Sequence, residues 1–363
     1  MRIAIMGFPQ SGKTTLFNVL ARAHAPTGQF ASSSGGLNIG TVSVPDARLE
    51  KLRDLFSPKK YTPARVEYVD LAGPPPGKGE ANAEALYPPQ LRAAELIVCC
   101  LRGFRDESVV HPNGSIDLER DRRNFDDEII FRDMTVLDTR IQRLEKSGKL
   151  GAASKEDPKE LPLLKRCREA LEAETPLREI EFDADDEKRL KGFQLLTAKP
   201  ILYVANIDES DLPDKSEAFR RMSTGAQRPR SAMVAVAAKT EMDLAALEGN
   251  ERTEFMELLG ITESSLDRLI RISYDLLGLC SFFTVGPDEV RAWTIPARSR
   301  AVDAAGEIHS DLARGFIRAE VVRWDELLAA GGTGPLREAG KLRLEGKEYR
   351  VEDGDILNIR FSV

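Results

Sequence analysis

Residues Gly7-Phe8-Pro9-Gln10-Ser11-Gly12-Lys13-Thr14 spell the pattern G-x-x-x-x-G-K-[ST], and no other feature restricts the fold of this chain as much. The pattern works only where an apolar strand feeds a tight loop that opens directly into a helix. Residues 2–6 supply the strand and residues 15–22 the helical segment. Such a loop turns backbone N–H groups inward around a phosphate, with glycine where a Cβ would block the bend. The helix that follows directs the positive end of its dipole at the same anion. Lys13 can then reach the β- and γ-phosphates, and the Thr14 hydroxyl can ligate Mg2+. Gln10, Ser11, Gly12, Lys13, Thr14 and Thr15 are the expected phosphate-side residues of a nucleoside triphosphate site.

Further apolar runs at 66–71, 96–101, 201–205 and 233–237 have strand length, are rich in Ile and Val, and lack strict alternation. Strands covered on both faces of a parallel sheet look like this, so the first domain is expected to be α/β with a mainly parallel sheet. About a hundred residues separate the third run from the fourth, too many for one crossover. Within that gap Ile130, Met134, Leu137, Ile141 and Leu144 step by 4, 3, 4 and 3, the seam of a coiled coil. Residues 147–162 break the pattern, and Leu164, Cys167 and Leu171 resume it. An antiparallel helical arm inserted into the α/β domain follows, with two ordinary surface helices packed on the sheet as the alternative. After Cys280, short runs at 282–285, 290–295, 341–344, 349–351 and 356–361 read as the strands of a small mixed α+β domain.

The 363 residues suffice for two to three domains. A net charge of −7 argues against non-specific coating of DNA or anionic membrane, which needs surplus Lys and Arg. The C-terminal domain, with 12 basic and 14 acidic residues, carries no electrostatic mark of a nucleic-acid binder. Cys99, Cys100, Cys167 and Cys280 have no metal-ligand spacing and read as buried thiols of a reducing compartment. No stretch of about 18 apolar residues is present, and the first residues lack the pattern of a signal peptide, so no membrane and a cytoplasmic location are expected.

Two strand ends carry more of the chemistry. Asp70-Leu71-Ala72-Gly73 places an Asp where it can hold Mg2+ through water and a Gly amide where it can sense the γ-phosphate. Asn206-Ile207-Asp208-Glu209 stands where a guanine-specific site carries Asn-Lys-x-Asp. Ile207 replaces the Lys that lies over the base, and Glu209 replaces the Asp that accepts two hydrogen bonds from the guanine edge. Loss of a matched polar pair can remove orders of magnitude of discrimination, so ATP, or relaxed ATP/GTP choice, is expected. Ala238 and Lys239 close the base site.

With these elements placed, the chain resembles the YchF-type (Obg-like) ATPases, a branch of the Obg family of P-loop translation-factor NTPases. The resemblance runs through Leu16-Phe17-Asn18, Val44-Pro45-Asp46 with Arg48-Leu49, Glu289-Val290-Arg291-Ala292-Trp293-Thr294, His309-Ser310-Asp311, Arg314-Gly315-Phe316-Ile317-Arg318-Ala319-Glu320 and Leu344-Glu345-Gly346-Lys347. It implies a G-type domain at 1–127 and 197–279, a coiled-coil insertion at 128–196 and a TGS (β-grasp) domain at 280–363. It also implies Mg2+, ATP as substrate, a ribosome or ribosomal subunit as partner, and RNA contact through the TGS domain and arm. The family's switch Thr falls on Ser34, a third candidate Mg2+ ligand beside Thr14 and Asp70. The redox-sensitive Cys of some relatives falls on Ser33, and Gln10 stands where the family usually has Asn. Three prolines, Pro74 to Pro76, follow Gly73, so the water-orienting Gln of many Ras relatives is missing. His111 matches a loop histidine of the family and is the candidate for that role beside Lys13. His24 and His309 read as structural. The expected activity is slow ATP hydrolysis, GTP being used less well. The alternatives are an Obg-type GTPase and a nucleotide-gated ribosome- or RNA-binding protein with negligible hydrolysis.

Overall fold

The computed structural model describes residues 1–23, 37–71, 88–149, 157–212, 228–247 and 249–362. Seven strands occupy its first two thirds: β1 (Arg2–Met6), β2 (Leu37–Ser43), β3 (Lys60–Thr62), β4 (Arg65–Leu71), β5 (Leu96–Arg102), β6 (Ile201–Asn206) and β7 (Ser231–Val236). Five follow: β8 (Leu279–Thr284), β9 (Glu289–Pro296), β10 (Phe316–Arg323), β11 (Arg343–Glu345) and β12 (Asp355–Phe361). Every residue of β5 and β6 is buried, as their unbroken apolar runs require. One six-stranded sheet has the order β2-β4-β1-β5-β6-β7, and β1 pairs in parallel with β4 and β5, β5 with β6, and β6 with β7. The second sheet has the order β11-β10-β12-β8-β9-β3.

The chain divides into two compact units, Met1–Gly40 with Glu67–Leu269, and Thr41–Val66 with Ile270–Val363. In the first, the core beneath the sheet gathers Met6, Val69, Ile97, Cys99, Leu101, Phe125, Ile129, Tyr203 and Ile207. The helix Leu118–Lys149 belongs to both this core and a second cluster, where Ile130, Leu137, Ile141 and Leu144 meet Leu163, Leu164, Cys167 and Leu171 of the helix Glu160–Glu172. Arg140 grips Glu160 through two hydrogen bonds of 2.7 and 2.8 Å, and Lys165 pairs with Glu145 at 2.7 Å. The periodic residues thus face a second helix, and the helix begins at Leu118, well before the periodicity does.

The root of that helix is fastened by buried charge. Asp133, fully buried, accepts from the Leu196 and Thr197 amides at 3.1 and 2.7 Å and from the Thr197 hydroxyl at 2.7 Å, with Arg132 beside it at 2.5 Å. Asp126 accepts from Arg122 at 2.7 Å, from the Tyr203 hydroxyl at 2.6 Å and from Arg178 at 3.3 Å.

In the second unit the helix Ala301–Ile308 packs its alanines on Cys280, Phe282, Ile295 and Val321. Residues 41–66 join this unit through β3, which pairs in parallel with β9, and through Arg48, whose guanidinium bonds both Asp46 and Asp353 and lies over the Phe283 ring. Residues 349–351, expected as a strand, contribute one isolated bridge from Arg350 to Arg300, while Phe316–Arg323 forms a strand between β11 and β12. No helix among the described residues is long and apolar enough to cross a membrane. All four cysteines are free and buried.

Candidate functional site

The loop after β1 has the backbone that its glycines permit. Gly7 has φ +137°, and a Cβ there would sit 2.3 Å from the Cys100 carbonyl oxygen. At Gly12, φ +88°, a Cβ would sit 2.2 Å from Asn206 Nδ2. Gln10 also lies in the left-handed region, at φ 61°, and is exposed. Alanine at Gly7 is therefore expected to displace the loop from β5, lowering nucleotide affinity at least about tenfold; a titration with ATP checks this. The helix Lys13–Ala21 starts directly behind Gly12 with no side-chain cap, leaving its first N–H groups for an anion.

Lys13 folds back so that Nζ donates to the Phe8 carbonyl at 2.8 Å. Burial pushes its ammonium pKa down, against the pull of Cys100, Asp70 and Cys99. The Thr14 hydroxyl donates to Asp70 Oδ2 at 2.9 Å, and Asn38 Nδ2 donates to the same oxygen at 3.3 Å. Asp70 is fully buried, and burial holds its carboxyl above the usual range although Thr14, Asn38 and Lys13 oppose this. Its Oδ1 has no hydrogen-bond partner among the described residues. A buried carboxylate oxygen left over beside a hydroxyl suits a hydrated divalent cation. Thr14 and Asp70 thus fit Mg2+; Ser34 and Gly73 lie outside the described residues, as does His24.

The base-side residues come together at the ends of β6 and β7. Asn206 Nδ2 donates to the Ser11 carbonyl at 3.2 Å, and its Oδ1 accepts from the Ala238 amide at 3.3 Å. This side chain therefore ties the phosphate loop to the loop after β7. Ile207 is 4% exposed and packs into the core beside Gly103. Glu209 is exposed and accepts from the Thr240 hydroxyl at 3.2 Å, while Lys239 is exposed on the first turn of the helix Ala238–Ala246. Thr15 is half-buried on the helix behind the loop, and Ser11 is buried.

Three side chains here escaped sequence reasoning. Asn38 joins the Asp70 cluster from β2. Phe104, just after β5, lies 3.5 Å from where a Cβ on Gly12 would be. Arg102 stacks on Phe104 at 4.7 Å and donates to the carbonyls of Phe104, Asp106 and Val109, pinning the loop that leads to His111. An aromatic directly behind a buried strand was the available signal for Phe104. His111 Nδ1 accepts from the Asn113 amide, and its Nε2 lies 3.2 Å from Asp121 Oδ2.

A family model described as a 50S ribosome-binding GTPase matches residues 2–130, and one for the C-terminal part of YchF GTPases, described as a protein of unknown function, matches residues 279–362. The chain is 42% identical over 364 residues to the "Ribosome-binding ATPase YchF" of Bacillus subtilis, covering 99% of this chain and 98% of that one. With the protein of the same name from Escherichia coli O157:H7 it shares 35% identity, covering 100% and 99%. A solved structure of the Schizosaccharomyces pombe YchF GTPase superposes with a TM-score of 0.83 at 26% identity, over 99% of this chain and 97% of that one. A GTP-binding protein from Pyrococcus horikoshii shares the fold, with a TM-score of 0.60 at 18% identity over the full length of both. A phosphate loop on a parallel sheet, a helical pair and a C-terminal mixed sheet, matched end to end at this identity, make the chain a member of the YchF family.

Proposed function

We propose that this protein is a Mg2+-dependent ATPase of the cytoplasm, a slow nucleotide switch that works on ribosomes. The observation that carries the reading is the Thr14–Asp70 pair at the mouth of the glycine-framed loop, with an unspent buried carboxylate oxygen beside it. Phosphoryl transfer needs mainly positioning and neutralisation of charge, and Lys13, the helix N-terminus and a cation held by Thr14 and Asp70 supply both. Ser34 would complete the metal shell and the Gly73 amide would sense the γ-phosphate. His111 would orient the attacking water in place of the absent Gln. Phe104 offers the base a ring face, and Asn206, Ile207, Glu209, Ala238 and Lys239 would frame it.

Its relatives in Bacillus subtilis and Escherichia coli are named ribosome-binding ATPases, and this protein would likewise bind the ribosome, with RNA contact through the arm and a TGS-type C-terminal sheet. The domain division that goes with this reading is 1–127 with 197–279 for the nucleotide domain, 128–196 for a coiled-coil arm and 280–363 for the TGS domain. A second reading, a GTPase, has its own support: the model matched at 2–130 and the S. pombe relative are both described as GTPases.

Titration of the full chain with ATP and GTP in Mg2+ separates the two. ATP is expected to bind at least tenfold more tightly, about 1.4 kcal/mol. Tighter GTP binding would overturn the adenine reading of Ile207 and Glu209. A site that binds either nucleotide but turns over neither, even with ribosomes present, would leave a nucleotide-gated binding protein.

A further inference from the structure

His111 sits in an exposed stretch: Val110 beside it is 78% exposed, and residues 112–117 are all open to solvent. Its own side chain is only 8% exposed. It is held there by polar contacts. Nε2 lies 3.2 Å from Asp121 Oδ2, and Nδ1 accepts from the Asn113 amide at 3.1 Å. An amide N–H can be received only by an unprotonated ring nitrogen, so the proton of a neutral ring sits on Nε2, 3.2 Å from the Asp121 carboxylate.

Asp121 itself is built in. Its side chain is 4% exposed, and Oδ1 accepts from Asn113 Nδ2 at 2.9 Å and from Arg120 at 3.0 and 2.9 Å. Arg120 also donates to the Ser115 hydroxyl and carbonyl, so one carboxylate and its arginine clamp the whole turn from His111 to Ser115. The same loop starts at the nucleotide cradle, where Phe104 borders Gly12 and the Arg105 amide donates to Asp208 at 3.1 Å.

We propose that Asp121 is the positioning residue for His111. It fixes the ring orientation and the Nε2–H tautomer, so that Nδ1 is the nitrogen that can receive a hydrogen bond from water. In the conformation seen here that nitrogen is taken by the Asn113 amide, so hydrolysis requires the 111–114 turn to release it. Gly114, at φ +78° with open space around it, lets the turn rearrange. The proposal rests on the reading of His111 as the water-orienting residue, and the test keeps the two apart.

The experiment measures steady-state ATP hydrolysis by the full chain carrying His111→Gln, Asp121→Asn or both, together with imidazole 15N spectra. The chain has three histidines, and His111→Gln assigns the relevant one. Asparagine at 121 can donate to Nε2 and so favours the wrong tautomer. Expected are a loss of about tenfold or more in kcat for each single variant with KM for ATP unchanged, and a double variant no slower than His111→Gln. In wild type the neutral form of the His111 ring should carry its proton on Nε2. Full kcat in His111→Gln would overturn the water-orienting reading beneath the proposal. Loss in His111→Gln with full kcat in Asp121→Asn would overturn the role of Asp121 alone. Should Asp121→Asn fold poorly, a wild-type spectrum showing Nδ1–H would overturn that role by itself.

Discussion

Replacing Lys13 by alanine is expected to lower ATP hydrolysis by about a hundredfold or more, and ATP binding with it, while the fold persists. Among the described residues the ammonium donates to the Phe8 carbonyl, and burial holds its pKa below the ordinary lysine value. A depressed lysine pKa means that the folded state disfavours the charged form. The side chain therefore opposes folding at every pH below the ordinary lysine value, where the unfolded chain carries the proton, neutral pH included. Its removal should leave the thermal midpoint unchanged or raised when no nucleotide is bound. The phosphates of a bound nucleotide would be the partner this ammonium lacks, so the loss should fall on binding and turnover alone. Hydrolysis assays and a thermal melt of the same preparation decide the matter. A variant that hydrolyses ATP at the wild-type rate would sink the assignment of the cradle.

The second large effect is on stability. Asp133→Ala removes the acceptor of two amides and a hydroxyl at the root of the helix Leu118–Lys149 and strips Arg132 of its carboxylate. Breaking a buried pair in this way costs about 3–5 kcal/mol, which for a unit of this size lowers the midpoint by about 6–20 °C. Burial pushes the Asp133 carboxyl upward against its donors, so the charge itself is held at some expense. Asp133→Asn, which keeps an acceptor oxygen without the charge, should lie between wild type and alanine. A midpoint within 2 °C of wild type for Asp133→Ala would show that the amides of Leu196 and Thr197 find water instead.

These two residues also mark what could be read in advance. Lys13 sits in a pattern whose spacing is dictated by one phosphate group, and the central strands are apolar from end to end, so cradle and parallel sheet were both legible. Asp121, Arg122, Asp126 and Asp133 look in sequence like a solvated helix face, yet each is less than 9% exposed. Buried charge of this kind is recognisable only once its partners, Tyr203, Arg178 and Thr197, have been brought over from distant positions. That is why the helix seemed to begin at its heptad step rather than at Leu118. β2 and β3 escaped for the opposite reason: they are short or only partly buried and carry no long apolar run. On the site side, local pattern predicted the phosphate contacts. It could not predict that Asn206 would brace Ser11 across almost two hundred residues, or that His111 would be tethered to Asp121.

The helix Leu118–Lys149 is a single unbroken element with unequal ends. Its first half contributes Phe125 to the core, and that ring meets Phe8 of the phosphate loop edge-on, 6.5 Å between centroids. Beyond Asp133 it runs on for about 24 Å at 1.5 Å per residue. Geometry turns such an element into a lever: a 10° tilt at the fulcrum sweeps its far end through about 4 Å, with no bond in the helix broken. A phosphate that drew Lys13 away from the Phe8 carbonyl would act on the short arm of that lever, and whatever touched the long arm would receive the motion magnified.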